Sequence, residues 1–250
     1  MRTHCIIIGV ILLLVLFGCG RKEEQPDKTL QSLQQPTSGK EATMSVQNIH
    51  WLGQSSFRIE DAGKQIYIDP WRLPSGLPKA DYIFITHDHH DHFSPDDIAK
   101  IQKKETVFIA PEDVAGELTG SVKAVAPNQT LEVDSLKVVT VPAYNLTKQF
   151  HPKGNNWVGY IITLSNGVKI YHAGDSDFIS EMKSIKADVV LLPCGGTYTM
   201  DAKDAAEAAN AIQPKILIPM HYGDVVGSEK DAETVKQLFK GETVVKEREK

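Results

Sequence analysis

The stretch Asp81-Tyr82-Ile83-Phe84-Ile85-Thr86, followed by His87-Asp88-His89-His90-Asp91-His92 and then by Phe93-Ser94-Pro95-Asp96-Asp97, joins a strand to a helix through a loop crowded with metal-binding side chains. Residues 81–86 form the short apolar run of a buried strand. Ser94, Pro95, Asp96 and Asp97 supply an N-cap, a proline at the first helical position and acidic first-turn residues, so a helix is expected to run to about Lys103. If the chain stays extended beyond Thr86, His87 and His89 project to one side. As the backbone then bends toward the helix, Asp91 and His92 turn inward. Imidazole nitrogens and carboxylate oxygens suit Zn, Fe or Mn, and such a density of them on one loop is electrostatically awkward without a cation. This loop can supply ligands to two adjacent ions.

Outward from this loop, short apolar or alternating segments predict ten strands: 49–52, 56–59, 65–68, 82–85, 107–110, 136–141, 158–164, 168–171, 189–192 and 216–219. Two further helices are expected. One is capped by Asp201, with Ala202, Ala205, Ala206, Ala209 and Ile212 at helical spacing, and the other covers Glu229 to Phe239. Hairpin strands followed by strands alternating with helices predict two packed sheets with helices outside, which at this level is α/β or α+β.

His87, His89, Asp91 and His92 match the H-x-H-x-D-H signature of the metallo-β-lactamase superfamily, and the chain resembles that family from Ile49 to about Val245. Gly174-Asp175-Ser176, at the end of an apolar strand, resembles its G-D-[ST] motif, and His221 follows the strand 216–220 as the family's last histidine does. His151, 24 residues before Asp175, fits the remaining ligand. The resemblance implies an α+β, four-layer αβ/βα sandwich. It also implies one metal site of His87, His89 and His151, a second of Asp91, His92 and His221, and Asp175 shared between them, with two divalent transition-metal ions, Zn first and Mn or Fe as alternatives. Smaller motifs resemble the branch of L-ascorbate-6-phosphate lactonase and related hydrolases: Trp51 to Phe57, Ile68-Asp69-Pro70, Leu192 to Gly196, Thr199-Met200 and Pro219 to Tyr222. Many members of that branch carry histidine where this chain has Gln54.

The activity implied is hydrolysis of a lactone or related ester, or of a phosphodiester, by a metal-bridged hydroxide, with Asp91 and Asp175 as the catalytic carboxylates. The alternatives are a nuclease or β-lactamase of the same superfamily, or a metal-binding lipoprotein without turnover. No G-x-S-x-G elbow is present, and Cys194, at the end of an apolar strand, reads as a packing thiol, which disfavours covalent catalysis. Asp69, ending a strand, is expected to orient a ligand histidine, and His172 to do similar work. Tyr144, Asn145, Trp157, Thr197 and Tyr198, on loops beside the motifs, are the expected substrate contacts.

The N-terminus reads differently from the rest. Arg2 followed by the apolar run Ile6 to Phe17, too short to span a bilayer of about 30 Å, reads as a secretory signal over 1–18. Leu16-Phe17-Gly18-Cys19 resembles a lipobox, with Cys19 as the lipidated residue, which predicts an exported, membrane-anchored lipoprotein facing the periplasm or cell exterior. Residues 19–47, rich in Gln, Lys, Glu, Pro, Ser and Thr, are expected to form a tether, and 48–250 the hydrolase domain. The charged end Lys246 to Lys250 reads as a solvated tail. A formal net charge of −5 gives no general affinity for nucleic acid, so the expected partners are a small-molecule substrate and, through the lipid, a membrane.

Overall fold

The computed structural model describes residues 46–250. The signal read over 1–18, Cys19 and the tether up to residue 45 lie outside the described residues. No helix among the described residues is long and apolar enough to cross a membrane.

The first sheet holds β1 (Ile49–Gly53), β2 (Ser56–Asp61), β3 (Lys64–Ile68), β4 (Tyr82–Phe84), β5 (Val107–Pro111) and β6 (Ser121–Val125) in that order. The second holds β13 (Glu242–Thr243), β12 (Ile216–Met220), β11 (Val189–Pro193), β10 (Lys169–His172), β9 (Val158–Thr163), β8 (Leu136–Pro142) and β7 (Thr130–Val133). Each sheet is antiparallel at one end and parallel at the other: β1 to β3 are hairpins and β3 to β6 parallel, while β7 to β10 are antiparallel and β10 to β13 parallel.

Alternation along the strands builds the layers. Ile66 and Ile68 of β3, Phe84 of β4 and Ile109 of β5 join Tyr160, Ile162 and Ile170 of the second sheet in the main core. The intervening Tyr67, Ile83 and Phe108 face the other side, against Ile98 and Ile101 of α1 (Pro95–Ile101) and Val114 of α2 (Glu112–Ala115). Beyond the second sheet, α3 (Ala202–Ile212) packs against β11 and α4 (Glu229–Leu238) against β12. The result is an α+β sandwich of helix, sheet, sheet and helix.

The predicted caps form. Ser94 accepts the Asp97 N–H and Asp201 accepts those of Lys203 and Asp204; a reciprocal capping box of Ser228 and Asp231, not among the expected caps, starts α4. The first helix stops at Ile101 rather than Lys103, within the usual fraying of a helix end. Three strands escaped the sequence pattern, β6, β7 and β13. All lie at sheet ends, where half their residues or more are at least partly exposed and the apolar signal is weak.

Two boundaries differ from expectation. Val46, assigned to the tether, is buried in the main core. The segment 246–250 is docked rather than solvated: the Glu249 N–H donates to the Trp51 carbonyl at 2.8 Å, Arg248 makes a parallel bridge to Trp51, and Lys246 Nζ donates to the Val46 carbonyl at 2.6 Å. The cause is Arg58, whose guanidinium is buried and donates to Glu249 Oε1 at 3.0 Å as well as to Glu60. An unpaired buried cation costs several kcal/mol, and β1 is an edge strand whose free backbone groups the tail also engages. His50 lies between Glu60 and Glu249.

Candidate metal centre

Parallel strands deliver their C-terminal ends to one edge of a sheet, and here both sheets do so at the same place. Asp69 follows β3, His87 to His92 follow β4, Asp175 follows β10 and His221 follows β12, while His151 comes from the long loop between β8 and β9. Two tight approaches allow this. Gly174 turns the chain with a φ of 61° just before Asp175, and a side chain at Gly195 would collide with the carbonyl oxygen of His221.

The structure brings all seven candidate ligands together. His87, His89 and His151 form one cluster and Asp91, His92 and His221 another, with Asp175 grouped with His87 and His92 between them. His151 Nε2 and His221 Nε2 lie 3.3 and 2.9 Å from Asp175 Oδ2, and His92 Nε2 lies 3.3 Å from Asp175 Oδ1. Asp91 Oδ2 is 3.6 Å from His92 Nε2 and 3.7 Å from His221 Nε2, and His87 Nε2 faces His89 Nδ1 at 3.1 Å. Two donors bonded at about 2.1 Å to one tetrahedral ion lie roughly 3.4 Å apart, so these separations suit shared ions. The buried atoms His92 Nε2, His151 Nε2 and Asp175 Oδ1 have no hydrogen-bond partner in the protein. Buried polar atoms left this way normally have a ligand to satisfy them, and the donor set therefore fits divalent metal.

Hydrogen bonds behind the rings fix which nitrogen faces the centre. Thr86 Oγ1 donates to Asp69 Oδ2 at 2.7 Å, so toward His87 Nδ1, 2.9 Å away, it can only accept; His87 therefore carries its proton on Nδ1 and turns a lone pair on Nε2 inward. His92 Nδ1 donates to Asp69 Oδ2 at 2.7 Å. His151 Nδ1 donates to Asn145 Oδ1 at 3.1 Å, an oxygen that also accepts the His151 N–H. Asp69 thus bonds His92 directly and, through Thr86, is linked to His87. Gln54, which the sequence reading left without a role, donates its amide to Asp91 Oδ2 at 2.8 Å.

Burial, reinforced by His92, presses the His87 imidazole well below its ordinary pKa, and burial with His151 lowers His89. For His92 burial acts the same way, but the carboxylates of Asp175, Asp69 and Asp91 overcome it and hold the ring well above. Burial would raise Asp175, yet His221 and His92 keep it well below the usual carboxylate range.

The other expected residues fall into two groups. His172 touches no candidate ligand: Nδ1 accepts the Gly174 N–H at 3.1 Å and Nε2 donates to the Ser55 carbonyl at 2.9 Å, so it is a neutral brace for the turn before Asp175. Asn145 is committed to His151, to the Tyr198 carbonyl and to Asp177. Tyr144 bonds Glu181 through its hydroxyl. Trp157 donates to Asp113 and lays its ring 5.0 Å from those of His87 and His89. Among these five, Tyr144, Asn145 and Trp157 are buried supports, whereas Thr197 is exposed and Tyr198 half-buried, the latter edge-on to exposed Phe150. Cys194 is buried, and burial raises its thiol pKa far above the ordinary value, as a packing role requires.

Residues 48–221 match the beta-lactamase superfamily domain. A UPF0173 metal-dependent hydrolase of Methanopyrus kandleri is 32% identical over 210 residues, spanning 76% of this chain and 90% of that one. Among solved structures, a candidate metal-dependent hydrolase from Parabacteroides distasonis is 35% identical with a TM-score of 0.73, covering 80% of this chain and 93% of its own. Igni18, a metallo hydrolase of Ignicoccus hospitalis, is 25% identical with a TM-score of 0.67, covering 81% and 95%. Together with the fold and the histidine-aspartate cluster, these likenesses establish that the chain belongs to the metallo-β-lactamase superfamily, among its metal-dependent hydrolases.

Proposed function

We propose that this chain is a dinuclear hydrolase, Zn-dependent by preference, that opens a lactone or related ester or cleaves a phosphodiester. The observation that carries the reading is the position of Asp175, whose two oxygens lie within 3.3 Å of histidines belonging to both clusters. His87, His89 and His151 would hold one ion and Asp91, His92 and His221 the other. When bound, such ions lower the pKa of water from about 15.7 toward 7 and polarise a carbonyl or phosphoryl oxygen.

The protein's own groups do the rest. Gln54 holds Asp91 Oδ2, the oxygen that faces His92 and His221, and Asp91 would accept or relay a proton while remaining a ligand. Asp91 is ionised for this: burial opposes its charge, but His92 and His221 hold its pKa below the usual value. Trp157 shields one side of His87, His89 and His151 from solvent. Thr197, exposed, and Tyr198, half-buried, would contact substrate.

Protein lacking residues 1–20, reconstituted and then freed of loose metal, should retain close to two ions per chain by elemental analysis. It should also turn over at least one member of a panel of lactones, thioesters, phosphodiesters and a β-lactam. Two bound ions with no turnover on the whole panel would favour the non-catalytic lipoprotein, and no bound metal would end the dinuclear reading. We further propose export and lipid anchoring through Cys19, supported by the charged start, the apolar run and the residues before that cysteine. Cys19→Ser should abolish incorporation of labelled fatty acid, and unchanged labelling would remove the lipobox.

A further inference from the structure

We infer that Gln54 is the positioning residue of the second metal site, setting the affinity of that site independently of the first. The inference rests on the reading above in which Asp91, His92 and His221 hold one ion. Gln54 sits in the tight turn between β1 and β2, fully buried, with a φ of 48°. Its two polar ends reach two members of that site. The side-chain amide donates to Asp91 Oδ2 at 2.8 Å, and the backbone carbonyl accepts the His221 N–H at 2.9 Å.

The same carbonyl accepts Trp51 Nε1–H at 2.9 Å, and the Trp51 ring stacks on Tyr222, the neighbour of His221, at 4.9 Å. His221 is itself held at a φ of 56°, a conformation that a non-glycine residue keeps only where its surroundings fix it. No such link runs from Gln54 to the other cluster: His87 is anchored by Thr86 and His151 by Asn145. Losing the Gln54 amide frees Asp91 to rotate about its side-chain torsions while His87, His89 and His151 stay aimed. A hydrogen-bonding partner of this kind is worth about 10–100-fold in metal affinity.

The test is a stepwise Co²⁺ titration of metal-free protein, followed by visible absorption, on wild type, Gln54→Met and Gln54→Glu. Methionine keeps the length of the side chain without the donor, and glutamate keeps the shape while replacing the NH₂ with an oxygen that faces Asp91. Wild type should bind in two steps. In Gln54→Met one of the two steps should weaken by about 10–100-fold with the other unchanged, and the absorption band of the step that moves should change shape. In Gln54→Glu the same step should change in affinity or band shape and the other should not. Two unaltered steps in both variants overturn the inference, as does equal weakening of both steps in variants whose metal-free thermal unfolding matches wild type. If one variant does not fold, the other decides. A wild-type protein that binds fewer than two ions instead overturns the dinuclear reading, so the two failures are distinguishable.

Discussion

Asp175→Ala should abolish most turnover, by about 10² or more, and should lower the bound metal below two ions per chain. The expectation follows from geometry: Asp175 is buried, lies within 3.3 Å of His92, His151 and His221, and is the carboxylate that the two clusters share. Its removal also takes a negative charge from beside two proposed divalent cations, so the loss is electrostatic as well as coordinative. Asp175→Asn, which keeps the shape and one oxygen, separates the two contributions; it should bind metal better than the alanine variant and remain well below wild type. Ser176→Ala is the internal comparison. Ser176 Oγ accepts the Tyr144 N–H at 3.2 Å and donates to the Asp177 carbonyl at 2.8 Å, so its loss should cost stability, about 1–3 kcal/mol by denaturant unfolding, with metal content preserved. Wild-type turnover and two bound ions in Asp175→Ala would remove this residue from the centre.

Asp69→Ala should weaken metal binding by about 10–100-fold without touching a ligand. Asp69 is fully buried with a φ of 49°, and its carboxylate receives the Thr86 N–H at 2.8 Å, the Thr86 hydroxyl and His92 Nδ1. Through Thr86 it also sets the tautomer of His87, so one carboxylate reaches a histidine in each proposed site. Metal competition titrations should therefore show both ions held less tightly, in contrast to the selective effect expected at Gln54. The orphaned Thr86 N–H should add about 1–3 kcal/mol of destabilisation to the metal-free protein. If that protein is destabilised while both affinities stay at wild-type values, Asp69 braces the loop and does not orient the histidines.

How far this site was legible beforehand depended on how far each group lies from its partner along the chain. His87, His89, Asp91 and His92 lie in one run between a strand and a capped helix, so their convergence could be read from local geometry alone. Asp175 and His221 each follow an apolar strand, and their motifs marked them once the family resemblance was drawn; the same resemblance implied His151 as the remaining ligand.

What no local pattern contained was the set of groups behind the ligands. Gln54 and Asp91 are 37 residues apart, Asp69 and His92 23, and Arg58 and Glu249 191. A glutamine in a hairpin turn or a glutamate near a charged end has many satisfactory partners, water among them, and sequence cannot choose between them. The choice is made when parallel strands of two sheets bring β3, β4, β10 and β12 to one edge and water is excluded there. An unmet polar group then costs enough to fix its partner. The same burial turned Asn145 and Trp157, expected to face substrate, into supports for His151, His87 and His89, and drew residues 246–250 onto β1. The sequence by itself determined the strand and helix periods, the caps and the donors; the tertiary structure alone decided which second group holds each donor still, because that depends on distances across the chain and on the loss of water at the site.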